Sequence, residues 1–314
     1  MHQKIVRVRT PSAVRPGKRA YGNYLLALLL FGSNGVVASR IGLSSYEIVL
    51  LRALLGSCLL VGIFFLTGRQ LSALRHKRDL FFIAMSGIAM AADWLFLFEA
   101  YAQIGVSLGM LINYCGPAIV VALSPLLFRE RITLQKGIAL GAALIGAFLI
   151  SGQAAITGIN TWGLLCAVLS AFAYAAMVIC SKKAKQIQGI ENATVQLFFT
   201  FVTVAVFVGC KQGFRISIES GEWLSILWLG LINTGAGCFL YFSSIGRLPV
   251  QTVALCGYLE PLSAILLAVI FLHETMLPLQ LLGAVLIIGG AILGECTFSA
   301  HRIRGHNTKG STHR

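Results

Sequence analysis

Ten apolar runs of about 16 to 24 residues follow one another along this chain of 314 residues, and that pattern restricts its fold more than any other feature. As a helix, a run of about 20 apolar residues is as long as the hydrocarbon layer of a bilayer is thick, about 30 Å. In hydrocarbon every backbone N–H and C=O must find its partner inside the segment. Runs this continuously apolar also lack the alternation of a barrel strand, so all ten are expected to be helices. Composition agrees, with 57% of residues hydrophobic and 11% charged, against about 25% charged in a soluble globular chain. The connections are too short for a folded soluble domain, which removes most enzyme classes. A net charge of +14 does not point to nucleic acid here, because the Lys and Arg residues sit in tails and short loops rather than on one basic face.

The expected spans cover 21–38, 46–67, 80–103, 107–128, 134–151, 162–180, 193–210, 223–245, 250–272 and 276–295, between basic tails at 1–20 and 297–314. No small-residue cleavage site is clear before the second span, so the first is read as a retained helix rather than a signal peptide. When the spans alternate in direction, 21 of the 25 Lys and Arg fall on one side and only Arg40, Lys211 and Arg215 on the other. The positive-inside rule then puts both tails in the cytoplasm. The eight cysteines lie in or beside apolar runs without a C-x-x-C pair, and all six histidines lie in tails or loops. They read as small buried hydrophobes and surface residues, with no metal, disulfide or other cofactor implied.

Sliding the sequence on itself by 144 positions superposes Glu47 on Glu191, Phe98 on Phe242, Tyr114 on Tyr258, Pro117 on Pro261, Glu130 on Glu274 and Gly146 on Gly290, without a gap. Two five-helix halves follow, at 21–151 and 161–296. Five is odd, so the second half enters the membrane the other way up. The fold class expected is therefore an all-α integral membrane protein of ten transmembrane helices arranged as two inverted repeats.

The stretch GPAIVVALSPLLFRERITLQKGIALGAALIGAFLI and its partner EPLSAILLAVIFLHETMLPLQLLGAVLIIGGAIL resemble the two copies of the EamA repeat of the drug/metabolite transporter superfamily. FGSNGVVASR in the first span is similar to that family's first-helix pattern, with Phe31 where Trp is usual and Arg40 where Lys is usual. The resemblance covers about Tyr21 to Glu295. It implies a ten-helix secondary transporter of small organic solutes, with the fifth and tenth helices peripheral, packing the halves or a homodimer. Gly137-x-x-x-Gly141 and Gly290-x-x-x-Gly294 suit such close packing.

Candidate transport residues gather around the middle of the spans. Pro117 and Pro261 both fall about 15 to 17 Å deep. A proline lacks an N–H and clashes with the carbonyl four residues back, which frees the C=O of Asn113 and of Gly257. Paired midplane breaks are where inverted-repeat transporters hold their solute. Charges inside the membrane are few and costly, and so are directed inward and paired or functional: Arg52, Asp93, Glu99 and Glu260. Glu260, beside Pro261, is the strongest; its counterpart is Gly116, so packing of the repeat does not demand an acid. Glu99 reads as a solvated interface residue. Arg52 is expected to pair with Glu260 or Asp93, or to hold a ligand. Among the aromatic residues Trp94, Tyr101, Tyr114, Tyr174, Tyr241 and Tyr258, only Tyr114 and Tyr258 sit beside the midplane prolines.

The leading reading is an alternating-access exporter of a small polar or amphipathic, amino-acid-like metabolite in a bacterial-type plasma membrane. Its partners are the solute, the lipid bilayer and protons, with Glu260 or Asp93 as the coupling carboxylate. A nucleotide-sugar or lipid-linked-sugar mover differs in solute size. A passive channel would run only downhill, and a membrane-embedded enzyme would need a clustered His, Ser or Asp constellation that is not visible.

Overall fold

The computed structural model describes residues 18–68, 71–104, 109, 112–128, 133–151, 160–214, 216–272, 278–279, 281–290 and 293. Residues 1–17, the whole tail at 297–314, Glu130, Arg215, Glu274 and Gly294 lie outside them. Among the described residues the regular structure is helical throughout. Helices α1 (Lys18–Gly32) and α2 (Asn34–Ala38) form the first run, followed by α3 (Ser45–Leu66), α4 (Lys77–Ile104), α5 (Cys115–Phe128) and α6 (Leu134–Ser151). After these come α7 (Thr161–Lys183), α8 (Ile190–Lys211), α9 (Trp223–Ile245), α10 (Val250–Gly257), α11 (Leu259–Leu272) and α12 (Leu281–Gly290). Among the described residues seven helices are long and apolar enough to cross a membrane, and shorter apolar helices lie at Cys115–Phe128, Gly137–Gly146 and Leu281–Gly290. This is a multi-pass membrane protein.

Local chemistry sets several helix ends. Ser44 Oγ accepts from the Glu47 N–H while the Glu47 carboxylate accepts from the Ser44 N–H at 2.8 Å, a reciprocal cap that starts α3. Asn160 Oδ1 accepts from the Trp162 N–H at 2.9 Å and starts α7. Gly189, at φ +68°, makes the left-handed turn into α8, which begins three residues before the expected boundary. The outer surface carries Leu66, Leu126, Leu134 and Leu224 at 77–89% exposure. Side chains this apolar and this exposed belong against lipid rather than water.

Helices pack in antiparallel pairs. Tyr46 of α3 meets Lys211 of α8 at 2.8 Å, and at the other end the Leu60 carbonyl meets Thr194 Oγ1 at 3.4 Å. Along α4 and α7, Ser86 Oγ donates to the Met177 carbonyl at 2.7 Å, while Gly163 lies against Gln103 and Ile104. Helix α1 runs beside α9, with the rings of Tyr24 and Phe31 both packed at a tilt against Tyr241. Helix α6 crosses α12 through glycines. A Cβ at Gly146 would come within 2.6 Å of the Gly283 carbonyl, and one at Gly290 within 2.7 Å of the Ala139 carbonyl. Residues 146 and 290, and 139 and 283, are each 144 apart. Cβ atoms at Gly137 and Gly141 would meet nothing within 4 Å among the described residues.

Two departures from regular α-helix shape the interior. In α9 the stretch Trp228–Ala236 is π-helical, a widened turn common at functional sites. The fourth and ninth runs are interrupted at Tyr114 and Tyr258, and helix restarts at Cys115 and Leu259. Pro117 and Pro261 thus each stand in the first turn of a new helix, where a missing N–H leaves no intrahelical bond unmade. The expected break in each half therefore falls just before its proline, at Tyr114 and at Tyr258.

Candidate functional site

The interruption at Tyr114 and the π-helical turn of α9 face a common space. A cavity of about 290 Å³ lies between α1–α2, α3, α4, α5, α7, α9 and α11. It occupies one half of the depth of the protein, reaching from Met90 and Met177 to the end marked by Gly35, Ala38 and Tyr101, where Gly35 is exposed.

Asp93, buried on α4, is held by a second chain segment. Asn113 Nδ2 donates to Asp93 Oδ1 at 2.8 Å and lies 3.1 Å from Ser170 Oγ, which itself donates to the Ala167 carbonyl. Asn113 thus ties α4 to α7. Its expected contribution was a backbone carbonyl; the observed one is the side-chain amide.

Arg52, also buried, stacks 4.4 Å above the Trp94 ring, and its Nε donates to Thr234 Oγ1 at 2.9 Å. Thr234 Oγ1 in turn donates to the Leu229 carbonyl five residues back, at 2.8 Å, inside the π-helical turn. The expected ion pair with Glu260 or Asp93 is absent among the described residues. The widened turn supplies a hydroxyl and Trp94 supplies an electron-rich face, so the guanidinium is fixed without a carboxylate. Its two Nη groups have no hydrogen-bond partner among the described residues, which leaves a planar donor pair suited to a carboxylate.

Glu260 stands in the first turn of α11, where the unpaired N–H groups of a helix start favour an anion. Its carboxylate lines the cavity and has no hydrogen-bond partner among the described residues. Tyr114 lines the cavity too. Its hydroxyl is buried with no partner among the described residues, whereas its carbonyl accepts from the Tyr258 hydroxyl at 2.8 Å. Tyr174 and Tyr241, with hydroxyls 3.5 Å apart, add aromatic faces near the floor, and Tyr101 adds one near the mouth.

Six of the eight residues singled out from the sequence, namely Arg52, Asp93, Asn113, Tyr114, Pro117 and Glu260, line this one cavity. Tyr258 and Pro261 do not. Tyr258 is fully buried and braces Tyr114 from behind, and Pro261 is buried in the turn that presents Glu260. Thr234 and Ser170, which orient Arg52 and Asn113, leave no signal in the sequence, because a single hydroxyl in an apolar run carries no pattern. Asn34 and Phe31 line the cavity as well, and both belong to the FGSNGVVASR stretch. Glu99 lies elsewhere. It accepts from Trp162 Nε1 and Gln103 Nε2, each at 3.2 Å, and pairs with Lys211 at 3.5 Å.

In the opposite half of the depth the described side chains are buried against one another. Tyr24 Oη donates to the Val253 carbonyl at 2.7 Å, Gln251 Nε2 to Ser124 Oγ at 3.1 Å, and Lys182 Nζ to the Leu248 carbonyl. Polar groups are nonetheless trapped there. Asn192 Oδ1 and Gln196 Oε1 are buried with no partner among the described residues, a cost of about 1–3 kcal/mol for each such group. No group of three or more His, Cys, Asp or Glu is placed to hold a metal among the described residues.

Comparison with known proteins gives a consistent picture. The EamA-like transporter family matches twice, over residues 19–152 and 161–294. An uncharacterized transporter, YxxF, of Bacillus subtilis (strain 168) is 24% identical over 272 residues, covering 86% of this chain and 87% of the relative. A probable amino-acid metabolite efflux pump of Salmonella typhimurium (strain LT2) is 26% identical over 296 residues, covering 88% of this chain and 95% of the relative. One solved crystal structure superposes with a TM-score of 0.75 at 20% identity, covering 88% of this chain and 98% of the other, so the two share a fold.

Proposed function

We propose, for a chain that belongs to the EamA-like transporter family, that it exports a small zwitterionic or amphipathic, amino-acid-like metabolite by alternating access, in exchange for protons. In this reading ten spans form two inverted five-helix halves in a bacterial-type plasma membrane, with both tails cytoplasmic. The half-depth cavity then faces outward. The observation that carries the proposal is this cavity, sealed at its other end, which gathers Arg52, Asp93, Glu260 and the rings of four tyrosines. A seal on one side distinguishes a carrier from an open pore.

The antiparallel packing of α3 on α8, and the glycine contacts of α6 on α12 that recur 144 residues apart, support the inverted repeat. Size supports the substrate class. At about 290 Å³ the cavity lies below the roughly 300–1,000 Å³ of pockets for drug-sized ligands, which suits an amino acid better than a nucleotide sugar. The free Nη pair of Arg52 matches a solute carboxylate. Asp93 and Glu260 match an ammonium group, and they are the groups able to take up the exchanged proton. The efflux role named for the Salmonella relative agrees.

Uptake of labelled amino acids into proteoliposomes given a pH gradient tests the proposal. The wild-type protein should accumulate at least one of them against its gradient, whereas Glu260→Gln should retain counterflow exchange and lose accumulation. Accumulation by a folded Glu260→Gln protein eliminates Glu260 as the coupling group. Reporter fusions at Gln153 and Gly213 should read external and those at Ala73 and Ala184 internal; two reversed signals reject the topology.

A further inference from the structure

Behind the floor of the cavity the packing is polar where apolar side chains would be expected. Gln196 is fully buried on α8 and touches the floor residue Met90, Nε2 to Sδ, at 3.9 Å, while its Oε1 has no partner among the described residues. Asn192 lies one helical turn earlier on the same face. It is 3% exposed, its Nδ2 reaches Ser181 Oγ at 3.4 Å, and its Oδ1 is likewise unpartnered. Two unpaired amide oxygens one turn apart destabilise the closed end, and leucines would seal it better.

Their positions within the repeat suggest a reason. Under the 144-residue correspondence Gln196 matches Arg52 and Asn192 matches Ile48, and both of those line the cavity. The contacts correspond too. Arg52 bonds Thr234 and Gln196 touches Met90, and residues 234 and 90 are themselves 144 apart. Gln196 and Asn192 therefore occupy, in the shut half, the place that Arg52 and Ile48 occupy in the open half.

We infer that Gln196 and Asn192 form a second solute station, buried in this closed arrangement and exposed when the shut half opens, whose amide oxygens accept hydrogen bonds from the ammonium or hydroxyl donors of the entering solute. This rests on the alternating-access reading. Opening satisfies both oxygens with water or solute, so the groups that weaken the seal are the ones that receive the cargo. The pair is uncharged, so it admits a zwitterion without binding it as firmly as a fixed ion would. Arg52, Asp93 and Glu260 then complete the binding deeper in the path.

The test uses the full chain in sealed membrane vesicles of both orientations and a membrane-impermeant sulfonated maleimide, with each labelled thiol located by peptide mass spectrometry. The variants are Gln196→Cys and, one turn away, Asn192→Cys. Gly35→Cys at the cavity mouth is the reference, because a Cβ there meets nothing within 4 Å. The thiols at 196 and 192 should react only from the face that carries the tails. An opened state populated at about 0.1–10% would slow them about 10- to 1,000-fold relative to a surface thiol. The thiol at 35 should react only from the other face. Silence at both 196 and 192, with position 35 reactive, overturns the station and leaves the cavity reading standing. Silence at 35 overturns the cavity reading itself, and reaction at 196 or 192 from both faces overturns alternating access. Gln196→Leu adds a second readout: higher thermal stability with slower exchange is expected, whereas lower stability would mark Gln196 as a structural group and reject the station.

Discussion

The open and shut halves of this protein are built from matching positions and filled with different chemistry. Arg52 in the open half corresponds to Gln196 in the shut one. Asp93 corresponds to Gly237, against which Phe31 packs, and Glu260 corresponds to Gly116, against which Tyr174 packs. At each acid, then, the matching position is a glycine against which an aromatic ring of the cavity lining packs. The tyrosines at the two breaks differ in the same sense. Tyr258 donates to the Tyr114 carbonyl at 2.8 Å, but the reciprocal bond is unmade and the Tyr114 hydroxyl is left without a partner among the described residues. Duplication thus supplies the scaffold on both sides, while the charged groups that line the cavity belong to one side only. Under the proposed alternating access a carrier gains from this, because the scaffold has to close at either end whereas the solute needs one set of fixed charges.

The largest effect expected from breaking the comparison is at Arg52. In Arg52→Ala the solute loses its fixed cation, and KM for a carboxylate-bearing solute should rise about 30-fold or more, the range for truncating one partner of a buried charge pair. Arg52→Lys keeps the charge and loses the planar donor pair, so an intermediate rise measured by uptake kinetics would establish a two-point contact. Equal values for wild type and Arg52→Ala would remove Arg52 from the binding site.

Next in size is a test of the scaffold. Gly146→Ala and Gly290→Ala each push a Cβ to within 2.7 Å of a backbone carbonyl on the facing helix. Each should cost about 1–3 kcal/mol, the usual range for overpacking. Thermal unfolding of the detergent-solubilised protein should show similar losses for the two. A large loss at one glycine and none at the other would contradict the matched packing of the halves.

The tyrosines give the smallest and sharpest contrast. Tyr258→Phe removes a buried hydrogen bond and should destabilise by about 1 kcal/mol. Tyr114→Phe removes a hydroxyl that has no partner among the described residues, so it should be neutral or slightly stabilising in the same assay while altering solute affinity. Equal destabilisation by both variants would mean that the two hydroxyls are not distinguished by the state in which the protein rests.

Much of this was legible in the sequence, because the membrane imposes one dominant rule. Long apolar runs must be helices, so the helical class followed from hydrophobic length alone. A gapless correspondence at 144 residues is itself a statement about chain order, and needed no coordinates. The rarity of charge inside the apolar runs made Arg52, Asp93 and Glu260 conspicuous for the same energetic reason. The helix breaks beside Pro117 and Pro261 were expected at nearly the right place, although the chain avoids a kink by starting a new helix just before each proline.

Tertiary structure alone decided which groups meet. Arg52 and Thr234 are 182 residues apart, and nothing in the sequence shows that a π-helical turn in α9 aims a hydroxyl at the guanidinium, or that Trp94 lies beneath it. Asn113, Asp93 and Ser170 come from three separate segments of the chain. Most decisive is the closing of one half and not the other. The 144-residue correspondence matches positions in the two halves, and only the packing of Tyr24 on Val253, Gln251 on Ser124 and Gln196 behind Met90 distinguishes the end that is shut. A linear sequence records hydrophobic length and the cost of charge position by position, whereas the choice between two nearly equivalent closures depends on contacts between segments far apart in the chain.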